Sequence, residues 1–233
     1  MNTERFTGRA QVYAAARPGY PDEAIEYIRS LVPLDAVFAD IGAGTGKFSE
    51  LIARCGYEVF AVEPNADMRE QLALTLAPFS NTRIINGIAE ATTLPDRSVD
   101  VIICAQALGW FELRAFRDEC RRIGKSDAIV ISLYNSEPGE DFTPDSHRLS
   151  SKQAAEKFFS NPDKREFPNP VLNTRERWIQ ARLSISDSPK PGDVGYDAYI
   201  AEADAIFDRE NVDGLFRVNL VTVVYSEKIN TGR

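Results

Sequence analysis

Asp40-Ile41-Gly42-Ala43-Gly44-Thr45-Gly46-Lys47-Phe48 is the stretch on which the reading of this chain turns. An apolar run over 36–41 carries a carboxylate near its end, glycines follow at alternate positions, and a helical pattern begins at about Lys47. That order describes a strand, a tight turn and a helix. The glycines let the backbone come close to a ligand that any Cβ would push away. A second apolar run over 58–62 ends in Glu63, twenty-one positions beyond Gly42. A carboxylate at the tip of the next strand can accept hydrogen bonds from two ribose hydroxyls. The two features together imply a nucleoside-bearing cofactor.

Spacing narrows the choice. A dinucleotide turn, G-x-G-x-x-G, would need its third glycine at Lys47 or at Ser49. A Walker phosphate loop would need glycine at Ile41 and Ser or Thr at Phe48. Neither fits. The remaining pattern, D-x-G-x-G-x-G, resembles the first motif of class I S-adenosylmethionine-dependent methyltransferases, whose cofactor carries an amino acid in place of a pyrophosphate.

Three further segments resemble the same family. Glu63-Pro64-Asn65-Ala66-Asp67-Met68 is similar to its second motif. Asn86-Gly87-Ile88-Ala89-Glu90-Ala91-Thr92-Thr93-Leu94-Pro95, with the apolar run over 99–103, is similar to its adenine-binding loop and fourth strand. Cys104-Ala105-Gln106-Ala107-Leu108-Gly109-Trp110-Phe111 resembles the post-strand motif of the small-molecule branch called methyltransferase domain 11, and more narrowly of its trans-aconitate methyltransferase-like members. The resemblance covers about 5–133. It implies S-adenosylmethionine as cofactor, held by Asp40, Gly42, Ala43, Gly44, Gly46, Glu63, Pro64, Met68, Ala89, Glu90 and Gln106, with Tyr13 covering it. Two positions depart from the family. Ile88 stands where many relatives carry Asp, so either Glu90 supplies the acceptor for the adenine amino group or Glu90 is a solvated helix-start residue. Gly109 stands where many have His before the Trp-Phe pair.

A length of 233 residues fits one α/β domain with a sizeable core. No apolar run approaches the length of a membrane span, and no basic-then-apolar leader opens the chain. Three cysteines without metal spacing suit a reducing cytoplasm. The net charge of −8 argues against nucleic acid as substrate. Arg114, Arg117 and Arg121 recur at helical spacing among acidic residues and read as a solvated face. No cluster of His, Cys and carboxylates suggests a metal.

Strand patterns at 36–41, 58–62, 82–86, 99–104 and 128–133 alternate with helical ones at 47–55, 65–77, 89–93 and 112–123. Such alternation predicts βαβ crossovers and a doubly wound, mostly parallel sheet of about seven strands. Asp22 reads as the N-cap of a helix before the first strand. The expected organisation is a single domain over 1–233: an N-terminal helical cap (1–35), a cofactor-binding core (36–135), a lid insertion after strand five (136–165) and the C-terminal part of the sheet (166–233). A sixth strand near 165–167 is crowded by Pro168 and Pro170. Asn173 with Glu176 suggests a capping box, a helix follows over 193–209, and 215–229 reads as an antiparallel last strand.

Methyl transfer from a sulfonium asks the protein to position a nucleophile and, for some acceptors, to take its proton. Candidates are Gln106 just past strand four, Tyr134 leaving strand five, and His147, the one side chain titrating near neutrality. The reading that follows is a cytoplasmic methyltransferase of a small molecule, enclosed by the lid with Trp110 and Tyr134. Two others stay open: a non-catalytic S-adenosylmethionine- or S-adenosylhomocysteine-binding protein, and methylation of a protein or RNA target. The sequence sets no oligomeric state.

Overall fold

The computed structural model describes residues 17–137, 149–185 and 188–229. Strands β1 (Val37–Ile41), β2 (Glu58–Val62), β3 (Thr82–Ile85), β4 (Val99–Ala105) and β5 (Gly124–Ser136) run parallel, because each is joined to the next by helix or loop that returns the chain to the same edge. Strand β7 (Phe216–Lys228) runs antiparallel between β5 and β6 (Asp163–Asn173). The sheet order is β3-β2-β1-β4-β5-β7-β6. The expected mostly parallel sheet is therefore a mixed one, antiparallel on both sides of β7. The order reverses between β1 and β4, which opens a crevice at their carboxyl ends, the usual ligand position in such sheets.

Successive residues of each central strand feed opposite faces. Phe38, Val101, Ile103, Ile131 and Leu133 pack under α1 (Asp22–Ser30) and α2 (Lys47–Arg54) through Ala24, Ile25, Ile28, Phe48 and Ile52. Ala39, Ile102, Cys104 and Val130 pack under α4 (Leu113–Ile123) and α5 (Ser151–Phe158) through Phe116, Cys120, Ile123, Ala154, Ala155 and Phe158. Helix α3 (Ala66–Leu76) covers β2 with Leu72 and Leu76. Helices α6 (Arg175–Leu183) and α7 (Tyr196–Glu210) pack Trp178, Ala203 and Phe207 against Val218 of β7. No described helix is long and apolar enough to cross a membrane.

Several expectations are corrected. Residues 89–93 form no helix: Ile88 and Ala91 make an isolated bridge, and Thr93 takes a left-handed backbone (φ 66°) that ends any helical run. Strand β6 runs through both prolines because it lies at the edge of the sheet. Pro168 and Pro170 are two residues apart, so both missing N–H groups fall on one side, the side without a neighbour. Asp22 is the first helical residue of α1, after an N-cap at Pro21 that offers no side-chain bond. The cap of α6 is Thr174, whose hydroxyl accepts from Arg177 N, in place of Asn173. Helix α7 begins at Tyr196 because Gly195 before it is left-handed (φ 90°).

Within the segment 136–165, the described part includes a packed helix. Ser150 and Gln153 form a reciprocal capping box that starts α5. Ala154 and Ala155 are fully buried, and Phe158 rests on Phe116 with ring centroids 5.3 Å apart. Residues 138–148, and with them Phe142 and His147, lie outside the described residues, as does the first part of the cap, 1–16, with Tyr13. If α5 belongs to the core, Phe158→Ala should destabilise the fold by about 3–5 kcal/mol, read from urea unfolding. A loss below about 1 kcal/mol would instead show a loosely attached cover.

Candidate functional site

Ile41 lies beside Val62 in the β1–β2 ladder, so the glycine turn and Glu63 leave the sheet side by side. The Val62 carbonyl accepts from the N–H of Gly42 (2.9 Å) and of Ala43 (3.0 Å). Glu63 Oε2 accepts from Gly44 N (2.9 Å) and Oε1 from Asn65 N (2.9 Å). Asn65 in turn caps α3, its Oδ1 accepting from Met68 N at 3.0 Å. Arg69 Nη1 donates to the carbonyls of Glu63 (3.0 Å) and Pro64 (2.6 Å). The Glu63 carboxylate is only 7% exposed. Burial pushes its pKa up, while the Asn65 and Gly44 amides and the Arg69 charge pull it back. Each oxygen spends one acceptor site on the backbone and keeps another for a ligand hydroxyl.

The two glycines beside it do different work. A Cβ on Gly42 (φ 72°) would stand 2.8 Å from the Ala107 Cβ and 3.3 Å from the Phe111 ring, so this glycine lets the loop after β4 close against the turn. A Cβ on Gly44 (φ 57°) would meet nothing within 4 Å among the described residues. The open space a cofactor requires therefore lies over Gly44. Beneath the turn, Asp40 is 1% exposed; its Oδ2 accepts from the Ser49 hydroxyl at 2.6 Å, and its Oδ1 is buried with no partner among the described residues. Burial raises its pKa to about 7, against the Ser49 bond and with help from the Glu63 charge. Such an orphaned acceptor calls for a donor that the protein does not supply.

Glu90 is a second such case. Its Oε1 accepts from Glu112 N at 2.7 Å, and its Oε2 is buried without a partner among the described residues. The loop that presents it is fixed from behind: Glu119 Oε1 accepts from Thr92 N (2.7 Å) and the Thr92 hydroxyl (2.5 Å), and Arg122 closes on Glu119. Burial raises the Glu119 pKa, but the bonds from Arg122 and Thr92 outweigh it and hold the carboxyl low. Glu90 thus faces inward at one end of this loop, beside the half-buried Ile88 and the buried Ala89, and is not a solvated helix-start residue. Met68 is buried in α3 and Pro64 half-buried above it. Gly46 bonds back to the Ala43 carbonyl (2.9 Å) to complete the turn.

The catalytic candidates separate. Gln106 takes a left-handed backbone (φ 62°), its N–H bonded to the Leu133 carbonyl (2.9 Å), and it lines a cavity of about 380 Å³. That cavity opens at the carboxyl ends of β4, β5 and β6 and is walled by α6. Asn135 lines it too, with its Oδ1 accepting from Thr222 (2.6 Å) and Asn169 (3.2 Å) and its amide donating to Gly19 (3.0 Å). Tyr134, one residue earlier, points to the opposite face, where it is buried and stacks on Tyr225 with centroids 6.3 Å apart. Burial drives its hydroxyl far above the ordinary tyrosine range. The expected placement of Tyr134 at the acceptor rim is corrected by the alternation of β5. Gly109 has its own reason: a Cβ there would run into the Leu149 carbonyl, so a histidine at this position would displace the chain entering α5. No group of three or more potential metal ligands occurs among the described residues.

Sequence reasoning missed Trp178, Arg182 and Arg17 on the cavity wall. Their only local signal was an aromatic and an arginine four positions apart on one helix, a pattern equally typical of packing.

Residues 39–132 match the family model of the methyltransferase domain. An uncharacterised methyltransferase of Mycobacterium tuberculosis is 37% identical over 132 residues, which is 56% of this chain and 52% of that protein. The chain spans about half the length of the curated relatives it matches. Among solved structures, a protein of Anaeromyxobacter dehalogenans provisionally described as a type II methyltransferase aligns with TM-score 0.66 at 19% identity, over 91% of this chain and 98% of that one. A Haemonchus contortus N-methyltransferase, solved with S-adenosylhomocysteine, aligns with TM-score 0.59 at 13% identity, over 97% of this chain and 58% of that one. These likenesses speak to the fold, and the segment holding the glycine turn, Glu63 and Glu90 is the part of the chain that matches the methyltransferase domain.

The raised pKa of Asp40 has a measurable sign. A carboxyl whose folded pKa lies near 7, above its ordinary 3.8, favours folding in its protonated form. That stabilisation is complete below the ordinary value and is lost as pH rises through about 7. Without cofactor, the unfolding midpoint in urea should therefore fall between pH 5 and pH 8, with Asp40 contributing on the order of a few kcal/mol. Asp40→Asn should flatten the dependence, and an unchanged slope would show that Asp40 does not titrate there.

Proposed function

We propose that this chain transfers the methyl group of S-adenosylmethionine to a small-molecule acceptor. The single observation that carries the reading is the Glu63 carboxylate, fixed by Gly44 N and Asn65 N at the head of two adjacent parallel strands, over open space at Gly44. The residues present fit the cofactor. Glu63 can take both ribose hydroxyls, the unpaired Glu90 Oε2 can accept from the adenine amino group in place of the acid absent at Ile88, and the unpaired Asp40 Oδ1 offers a buried acceptor under the turn. When bound, S-adenosylmethionine would supply a methyl on a cationic sulfur for in-line attack by an acceptor lone pair, the acceptor–methyl bond forming as the methyl–sulfur bond breaks and leaves its electron pair on the sulfur of S-adenosylhomocysteine.

The protein's share is to bind and orient. Gln106, held by its backbone bond to Leu133 between the glycine turn and the cavity, is placed to orient either reactant through its amide. The cavity's volume, about 380 Å³, falls in the range of small-ligand pockets and supports a small acceptor over a macromolecular one. The resemblance of 104–111 to the small-molecule branch, including its trans-aconitate methyltransferase-like members, supports the same choice.

Incubation with S-adenosylmethionine and a metabolite extract should release S-adenosylhomocysteine. Glu63→Ala should weaken cofactor binding by about 1.5–3 kcal/mol, the range for bonds to a charged group, or roughly ten- to a hundredfold in calorimetric titration. Unchanged affinity in a folded variant would remove Glu63 from the site and the proposal with it.

A further inference from the structure

The cavity beside Gln106 differs in charge from the chain that builds it. The chain carries a net charge of −8, and several of its described arginines are spent on carboxylates. Arg122 pairs with Glu119 and Asp96, Arg175 with Asp204 and Asp208, and Arg165 with Asp163. Arg182, on the cavity wall, makes no ion pair among the described residues, and its Nε is buried with no acceptor among them. Burying a guanidinium N–H unpaired is costly unless something else completes it.

The side chain is nonetheless held in place. Its guanidinium lies over the rings of Trp178 (5.6 Å to the centroid) and Tyr199 (5.3 Å). Trp178 is itself anchored by a 2.8 Å bond from its Nε1 to the Ala203 carbonyl, and Tyr199 by a 3.0 Å bond from its hydroxyl to the Arg182 carbonyl. A guanidinium stacked between two fixed rings is preorganised for a planar or tetrahedral oxyanion. Other cations gather at the same end. Arg17 shares the lining, and Lys47 donates to the Arg17 carbonyl. Burial lowers the Lys47 pKa, and the nearby charges of Arg177 and Arg17 lower it further. Against them, Glu137 is the one carboxylate among the described lining residues. Much of the rest of the wall, including Val171, Val218 and Leu220, is apolar.

We infer that the acceptor bears an oxyanion, a carboxylate or a phosphate monoester, seated on Arg182, with its apolar body against the β6–β7 wall and its methyl-accepting end toward Gln106. The inference rests on the methyltransferase reading of the site and adds the chemical class of its substrate. The oxyanion completes the Arg182 Nε, and the excess of cations offsets the repulsion that an anion would otherwise meet from an acidic chain.

The test is calorimetric titration of the chain, with and without saturating S-adenosylhomocysteine, by three matched probes: phenylacetate, phenyl phosphate and phenylacetamide. At least one anion should bind about tenfold or more tighter than the neutral amide, as expected for a charge-assisted bond, and which anion wins separates the two sources. Arg182→Gln should erase the preference while leaving S-adenosylhomocysteine affinity unchanged, and Arg182→Lys should keep part of it. The retained cofactor affinity shows that the variants fold. The inference is overturned if the amide binds as well as the anions, if no anion binds, or if the preference survives in Arg182→Gln. A chain that binds the anions but no S-adenosylhomocysteine contradicts the cofactor reading alone.

Discussion

The carboxylate of Glu63 is the point through which the rest of the site is connected. It sits at the tip of β2, takes one backbone N–H from the glycine turn after β1 and another from the start of α3, and so sets the distance between the two strand ends. Burying that charge is unfavourable, as its raised pKa records, and it is stabilised by two backbone N–H groups that donate to its oxygens and by the nearby Arg69 charge. Each neighbouring constraint follows. The Val62 carbonyl fixes the first two amides of the turn, Gly42 must lack a side chain so that Ala107 and Phe111 can close on it, and Asn65 starts the helix that buries Met68. The result is a ledge of open space over Gly44 with unpaired acceptors at Asp40 and Glu90.

How much of this was legible in the sequence differs by region, and the differences have physical causes. Strands β1, β2 and β4 were readable because both faces are covered, so their apolar runs are nearly continuous. The glycine turn and Glu63 were readable because backbone geometry leaves few residue types able to occupy those positions. The stretch 89–93 was misread because its conformation is imposed from outside, by Glu119 and Arg122 of α4 gripping Thr92, and no local propensity records that grip. Strand β6 was cut short on account of prolines that an edge strand tolerates. Helix α5 falls within the segment expected as a lid, and the small side chains of Ala154 and Ala155 are what allow it to lie close against the sheet and the turn at Gly109.

The acceptor cavity was the least legible part. Its described wall draws on Arg17, Gln106, Asn135, the end of β6, α6 and the start of β7, segments separated by long stretches of chain. Only the reversal of direction at β7 brings them together. The one-residue step between Tyr134 and Asn135 shows how narrow the margin is: alternation along β5 sends one to the core and the other to the cavity mouth. Asn135 then ties β5, β6, β7 and the chain before α1 into one polar knot at that mouth.

The account stands or falls on what Glu63 holds. A crystal structure of the chain with S-adenosylhomocysteine reads this directly. Both ribose hydroxyls should lie about 2.5–3.0 Å from the two Glu63 oxygens, with the bonds from Gly44 N and Asn65 N retained and the adenine amino group facing Glu90. A nucleoside bound elsewhere, or one whose ribose hydroxyls face other residues while Glu63 serves only its own backbone, would contradict the account.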